Sequence, residues 1–143
     1  MPIRDATTHW EGGFQTGRGE VTLDSSNAGQ FPVSFPTRAG DPEGQTSPEE
    51  LIAAAHSSCY AMSLSNLLEK SGHPPTTLDV SAEVTLGRRD DGMGITGIAL
   101  TARATAPGVD PAEFEKYAQE AKENCPVSKA LTGTTITLDA ALD

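Results

Sequence analysis

The sequence is short of positive charge, of aromatic rings and of cysteine, and each shortage narrows the function. Ten Lys and Arg against twenty Asp and Glu leave a formal net charge of −10. A surface of that sign repels phosphate backbones and anionic lipid, so neither nucleic acid nor a membrane is an expected partner. Aromatic residues make up 5% of the 143 residues and hydrophobic residues 36%. The core must then be built from Val, Ile, Leu and Ala, which is thin for a chain of this length and favours association of subunits. No apolar run approaches the length of a membrane span, and the opening MPIRDATTHWEGG lacks the charged-then-apolar order of a secretory leader. A cytoplasmic protein is the expectation. Its two cysteines, Cys59 and Cys125, then read as buried or redox-active thiols rather than as a permanent staple.

What is present is organised around Ser47 to Lys70, SPEELIAAAHSSCYAMSLSNLLEK. Ser47 suits an N-cap, Pro48 the first helical position, and Glu50 the third residue of a capping box. No Gly or Pro follows until Gly72, so about six turns are expected. Ala53, Ala54, Ala55, Ser57, Ser58, Ala61, Ser63 and Ser65 leave the helix small-faced nearly all round, as in a central, closely packed element.

Before it, His9 to Leu23 reads as a β-hairpin, Gln30 to Thr37 as a short strand with Pro32 and Pro36, and Arg38 to Thr46 as a loop. A positive charge at a helix N-terminus is disfavoured by the macrodipole, so Arg38 needs a partner, and the acidic first turn is the nearest. After it, Leu78 to Arg88 and Ile95 to Ala106 form a hairpin about Asp90-Asp91-Gly92. Asp110-Pro111-Ala112-Glu113 starts a second helix that runs through about Glu123, with Phe114, Tyr117, Ala118 and Ala121 as its apolar stripe. Pro126 ends it near Cys125, Ser128 to Leu131 makes a short turn, and Thr134 to Leu142 is a final strand. With no repeat or linker, residues 1–143 read as one α+β domain of order β-β-β-α-β-β-α-β, an antiparallel sheet packed on the long helix.

On composition alone Cys59 reads as an inert buried side chain. Cys125 stands at the last turn of a helix before a proline, where fraying exposes a thiol. One buried and one mobile thiol meet the needs of a peroxidatic and resolving pair, in which a sulfenic acid condenses to a disulfide. A thiol must first be activated. The helix N-terminus is too far from Cys59, since Glu49 lies about 15 Å away along the axis. Arg38 can bring the cation, and Glu49 can hold its guanidinium; the plain alternative is a solvated surface pair. His56, one turn before Cys59, reads as a hydrogen-bonded core residue. A Cys59–His56 hydrolase would lack an orienting carboxylate and oxyanion hole, and a zinc site from His56, Cys59 and Cys125 lacks ligand spacing. Gly12, Gly13, Gly17 and Gly19 do not form a phosphate loop, because no helix follows them in strand-loop-helix order.

The segments from Thr46 to Cys59 and from Ala121 to Ser128, with His9-Trp10-Glu11-Gly12, Phe35-Pro36-Thr37-Arg38 and Ile136-Thr137-Leu138-Asp139, resemble the OsmC/Ohr family in its OsmC branch. The resemblance covers essentially the whole chain. It implies a thiol-dependent peroxidase of oxidative and osmotic stress defence, reducing organic hydroperoxides and, less well, hydrogen peroxide. Cys59 would be the peroxidatic nucleophile and Cys125 the resolving thiol. Arg38 would stabilise the thiolate and Glu49 would orient Arg38, with Arg18 in Gly17-Arg18-Gly19 as the alternative arginine. An intertwined homodimer with the long helices at its centre is implied, with no metal, haem or flavin and with electrons from an external dithiol, in particular a lipoyl group or lipoylated protein. The other reading is a non-catalytic, stress-related ligand-binding dimer in which both cysteines are structural.

Overall fold

A computed structural model describes all of residues 1–143, which form two compact units, 1–51 and 52–143.

In the first unit β1 (Thr7–Glu11), β2 (Arg18–Thr22) and β3 (Gln30–Val33) make an antiparallel meander in that order. Trp10 pairs with Gly19 and lies across it. A Cβ at Gly19 would come within 2.7 Å of the Trp10 ring and 2.9 Å of Val33, so the close approach requires glycine. The strand expected over Gln30 to Thr37 stops at Val33. Ser34 is extended, and Phe35–Ala39 forms a helical turn, α1, with Pro36 in its first turn. Proline's fixed φ and missing N–H suit that position better than a ladder. Arg38 thus stands on a helix rather than in a loop.

Helix α2 (Pro48–Lys70) begins in this unit and runs on into the second. Ser47 Oγ accepts from the N–H of Glu50 at 3.1 Å, one half of the capping box. The other half is replaced, because the Glu50 carboxylate instead accepts from the Thr46 hydroxyl at 3.1 Å.

In the second unit β4 (Thr77–Arg89) and β5 (Gly92–Thr105) form the long hairpin, followed by α3 (Pro111–Asn124), α4 (Pro126–Ala130) and β6 (Thr135–Leu142). The β4–β5 ladder is antiparallel. β6, however, pairs with the far side of β5 in parallel, Ile136 opposite Ile98 and Leu138 opposite Leu100. A parallel neighbour cannot be reached by a tight turn, and α3 with α4 is the crossover that reaches it. The core lies between α2, α3 and this sheet. Tyr60, Leu64 and Leu68, spaced by four on α2, meet Leu100, Ala102 and Ala104 of β5 and Phe114, Ala118 and Ala121 of α3. The alanines stand in for the scarce large residues by letting helix and sheet approach closely. The opposite face of α2, with Ala54, Ala55, Ser58 and Met62, is exposed. No helix is long and apolar enough to cross a membrane.

Helix α3 starts as its sequence dictates. Asp110 Oδ2 accepts from the N–H groups of Ala112 (3.1 Å) and Glu113 (3.4 Å), and Pro111 fills the first helical position. Replacing Asp110 by Ala removes both bonds and should lower stability by about 1 kcal/mol. A shift in the urea midpoint reads this, and Asp110→Asn should recover most of it.

Candidate active site

Helix geometry sets the environment of Cys59. His56, Tyr60, Leu64 and Leu68 define the buried stripe of α2, and Cys59 is rotated from Tyr60 by about 100°, onto the edge of that stripe. It is half-buried. Cys125 is held from both sides. Pro126 cannot continue α3, so Cys125 turns extended (φ −54°, ψ 126°) and is at once the last cap of α3 and the first of α4. Its N–H bonds to Ala121 O at 2.9 Å, and its carbonyl accepts from Lys129 N at 3.0 Å.

The thiols exchange the exposures expected of them. Cys125 is fully buried, and Cys59 is the one with access to solvent. The physical reason is the second helix: α4 begins directly at Pro126 and closes over the position that would otherwise fray.

The two sulfurs, 66 residues apart in sequence, lie 2.7 Å from each other, both cysteines being free. Such a pair titrates as a unit. Burial pushes the Cys59 thiol up, and its bond with Cys125 adds to this. Burial acts upward on Cys125 too. The contact with Cys59 and the polar groups of Ser128 and Val127 at the start of α4 outweigh it and hold that thiol below its ordinary value. The two thiols are thus displaced in opposite directions, Cys59 upward and Cys125 downward.

His56 is fully buried, and its Nε2 lies 2.7 Å from Ser128 Oγ, across 72 residues of sequence. Its Nδ1 has no partner. A Cys59–His56 dyad is not formed, because the ring's one hydrogen bond goes to Ser128. Burial lowers the histidine's pKa, so the ring is neutral at physiological pH. No group of three His, Cys, Asp or Glu side chains is arranged to hold a metal ion. Sequence reading missed Ser128 as a partner. Its only local signal is the spacing Cys-Pro-x-Ser, which sets Ser128 one turn after a cap.

In the first unit Arg38 and Glu49 are brought together. Arg38 Nε donates to both carboxylate oxygens (3.0 and 3.1 Å), and Nη2 donates to Oε1 at 2.7 Å. The Glu49 side chain is nine-tenths buried and that of Arg38 one-third exposed. This is a fixed, fork-shaped pair, unlike a solvated surface contact. Arg18, opposite Glu11 at the start of β2, is exposed. Beside Arg38 a cleft of about 210 Å³ is lined by Trp10, Phe14, Val33 and Phe35, with the two phenylalanine rings 4.0 Å apart between centroids.

The fold and the paired thiols define a class, and the sequence matches the family described as OsmC-like protein over residues 40–139; the chain belongs to that family. It is 44% identical over 134 residues to the protein named peroxiredoxin OsmC of Escherichia coli strain K12, covering 94% of this chain and 92% of that one. The organic hydroperoxide resistance protein OhrA of Bacillus subtilis strain 168 is 29% identical over 144 residues, covering 99% and 98%. Among solved structures, an organic hydroperoxide resistance protein from Elizabethkingia anophelis superposes with a TM-score of 0.81 at 25% identity, covering 100% of this chain and 98% of that one.

Proposed function

We propose that the protein is a cysteine-based peroxidase that reduces organic hydroperoxides, and hydrogen peroxide more weakly, in oxidative and osmotic stress defence. The observation that carries the reading is the pair of free sulfurs 2.7 Å apart, one of them open to solvent. Cys59 is the peroxidatic residue in this reading, because it is only half-buried whereas Cys125 is fully buried. Its thiolate attacks the outer peroxide oxygen, the O–O bond breaks, and the alkoxide takes a proton to leave as alcohol. Cys59 is then a sulfenic acid. Cys125 condenses with it, forming the S–S bond as the sulfenic hydroxyl departs as water. An external dithiol, of lipoyl type, reduces the disulfide, and the cycle uses no prosthetic group.

Because burial and the contact with Cys125 push the Cys59 thiol up, attack by Cys59 requires a cation that favours its thiolate. Arg38 is that cation in this reading, and Glu49 fixes its fork. Arg38→Met should lower the second-order rate with cumene hydroperoxide by about a hundredfold, the loss of one strong charge-assisted interaction at the reacting centre. The same change in Arg18 should move the rate less than about threefold; the reverse order would exchange their roles.

The bare Ala54, Ala55, Ser58 and Met62 face of α2 supports a homodimer, in keeping with the small core. A cytoplasmic location, one functional domain over 1–143, and no role for nucleic acid or membrane complete the reading. Titrating thiols before and after one equivalent of cumene hydroperoxide tests it. Loss of both thiols with a mass decrease of about 2 Da is expected. Two thiols remaining would point instead to a ligand-binding protein with structural cysteines.

A further inference from the structure

The far end of the β4–β5 hairpin holds an arginine with no part in the sulfur chemistry. Arg89 is the last residue of β4, and its stem lies against Gly94 of β5. A Cβ at Gly94 would come within 2.5 Å of Arg89 Cδ, so this course of the side chain requires glycine. Arg89 Nη1 donates to Ile95 O at 2.9 Å and to Gly133 O at 3.4 Å. Those bonds tie the guanidinium to β5 and to the loop before β6, and both acceptors are neutral. The nearest carboxylate, Asp91, stands 4.0 Å from Nε with its side chain 88% exposed, and it offsets little of the charge. Nη2 donates to no protein group. A guanidinium fixed through one nitrogen and open at another is arranged to meet an anion.

The surroundings select the kind of anion. On one side of Arg89 a cleft of about 340 Å³ is walled by Met93, Ile95 and Ile98 of β5 and by Ala130 and Leu131 at the end of α4. Ile98 is buried and Met93 is exposed, so the apolar wall runs from the core out to solvent. On the other side a second cleft, of about 360 Å³, is lined by Thr96, Thr132, Thr134 and Thr135. The two clefts share Arg89, Gly133 and Thr134. The hydroxyls of Thr96 and Thr134 donate to backbone carbonyls, of Thr85 and Ile95. Thr132 and Thr135 are exposed and keep theirs for a ligand. Each volume falls at the small end of ligand sites, about 300–1,000 Å³. One cation serves both clefts, which suits a single negative charge. A phosphate dianion would meet one arginine on a protein of net charge −10. Neither cleft offers an aromatic ring on which a base could stack.

We propose that the Arg89 cleft is a binding site for a medium-chain aliphatic monocarboxylate, its head group on Nη2 and its tail on Ile98 and Leu131. The carboxylate accepts from Nη2, and Thr132 or Thr135 donates to its second oxygen. The tail covers apolar surface that water now meets, so the hydrocarbon supplies affinity and the arginine orientation. No residue of this site belongs to the peroxidase reading, and the two stand or fall separately.

Sodium octanoate is the probe, added to the full unsubstituted chain and followed by methyl and arginine Nε–H resonances. Saturable shifts at Ile98, Leu131 and Arg89 are expected, with a Kd of about 1 mM or below. Octan-1-ol keeps the tail without the charge, and acetate keeps the charge without the tail. Each should bind at least about tenfold more weakly than octanoate. Arg89→Met should weaken octanoate by about tenfold and move octan-1-ol by less than about twofold. Gly94→Ala leaves every ligand-facing side chain in place but displaces the arginine stem, and should weaken octanoate at least about threefold. Should either variant fail to fold, the three probes on the unsubstituted protein decide. No saturable shift at Ile98 and Leu131 up to about 10 mM octanoate would overturn the inference. So would octan-1-ol binding as tightly as octanoate, or shifts confined to Arg89 and equal for octanoate and acetate.

Discussion

Cys59→Ser protein should consume organic hydroperoxide no faster than buffer, a fall of at least about a thousandfold, because a serine hydroxyl offers no thiolate to attack the O–O bond. The contrast with Cys125→Ser separates the two thiols. That variant keeps the accessible sulfur and should complete one turnover, after which a sulfenic acid persists and can be trapped with a dimedone-type reagent. Its steady-state rate with dihydrolipoamide then depends on how fast the reductant reaches that acid directly. Peroxide consumption by Cys59→Ser at the unsubstituted rate would remove Cys59 from the reaction. An accumulating sulfenic acid in the Cys59→Ser protein would show that Cys125, despite its burial, is the nucleophile. The proximity of the sulfurs makes this a sharp test, since either could in principle carry the charge.

The second large effect lies in the core. Leu64 is fully buried between β5 and α3, in a cluster whose other members include Ala102, Ala104, Ala118 and Ala121. Truncating it to Ala leaves a cavity that those short side chains cannot refill, so a loss of about 3–4 kcal/mol is expected. Against a total of about 5–15 kcal/mol that is a large fraction. With a urea slope of about 1–3 kcal/mol/M, the unfolding midpoint should fall by more than 1 M. Lys116, exposed on α3, is the control, and Lys116→Ala should stay within about 0.5 kcal/mol. A midpoint for Leu64→Ala within about 0.3 M of the unsubstituted protein would mean that the cluster around Leu64 is not the core.

Local chemistry made much of the fold readable. The Ser-Pro-Glu-Glu start and the uninterrupted run to Lys70 place α2 to within one residue, and Asp110-Pro111 does the same for α3. What escaped was set by distance along the chain. Pro36 is equally consistent with an irregular strand and with a helix start, and only the tertiary setting resolves it into α1. Parallel pairing of β6 leaves no local mark, since alternation in Thr135–Leu142 is the same in either direction. The Arg38–Glu49 pair was legible because an arginine entering an acidic first turn needs a partner within reach. The exposures of the thiols were not, because they depend on α4 folding over Cys125. Ser128 was invisible as a partner for the same reason: its contact with His56 spans 72 residues.

The crossover connection also has a consequence for biosynthesis. Cys125 is carried on the segment that links β5 to β6, and it leaves the ribosome 66 residues after Cys59. At about 5–20 residues per second, roughly 3–13 s pass in which the nascent chain presents Cys59 without its partner. A sulfenic acid formed in that interval has no neighbouring thiol to capture it and is open to further, irreversible oxidation. In the peroxidase reading, translation under peroxide stress should therefore leave a fraction of molecules permanently sulfinylated at Cys59, whereas protein completed beforehand should form the disulfide instead.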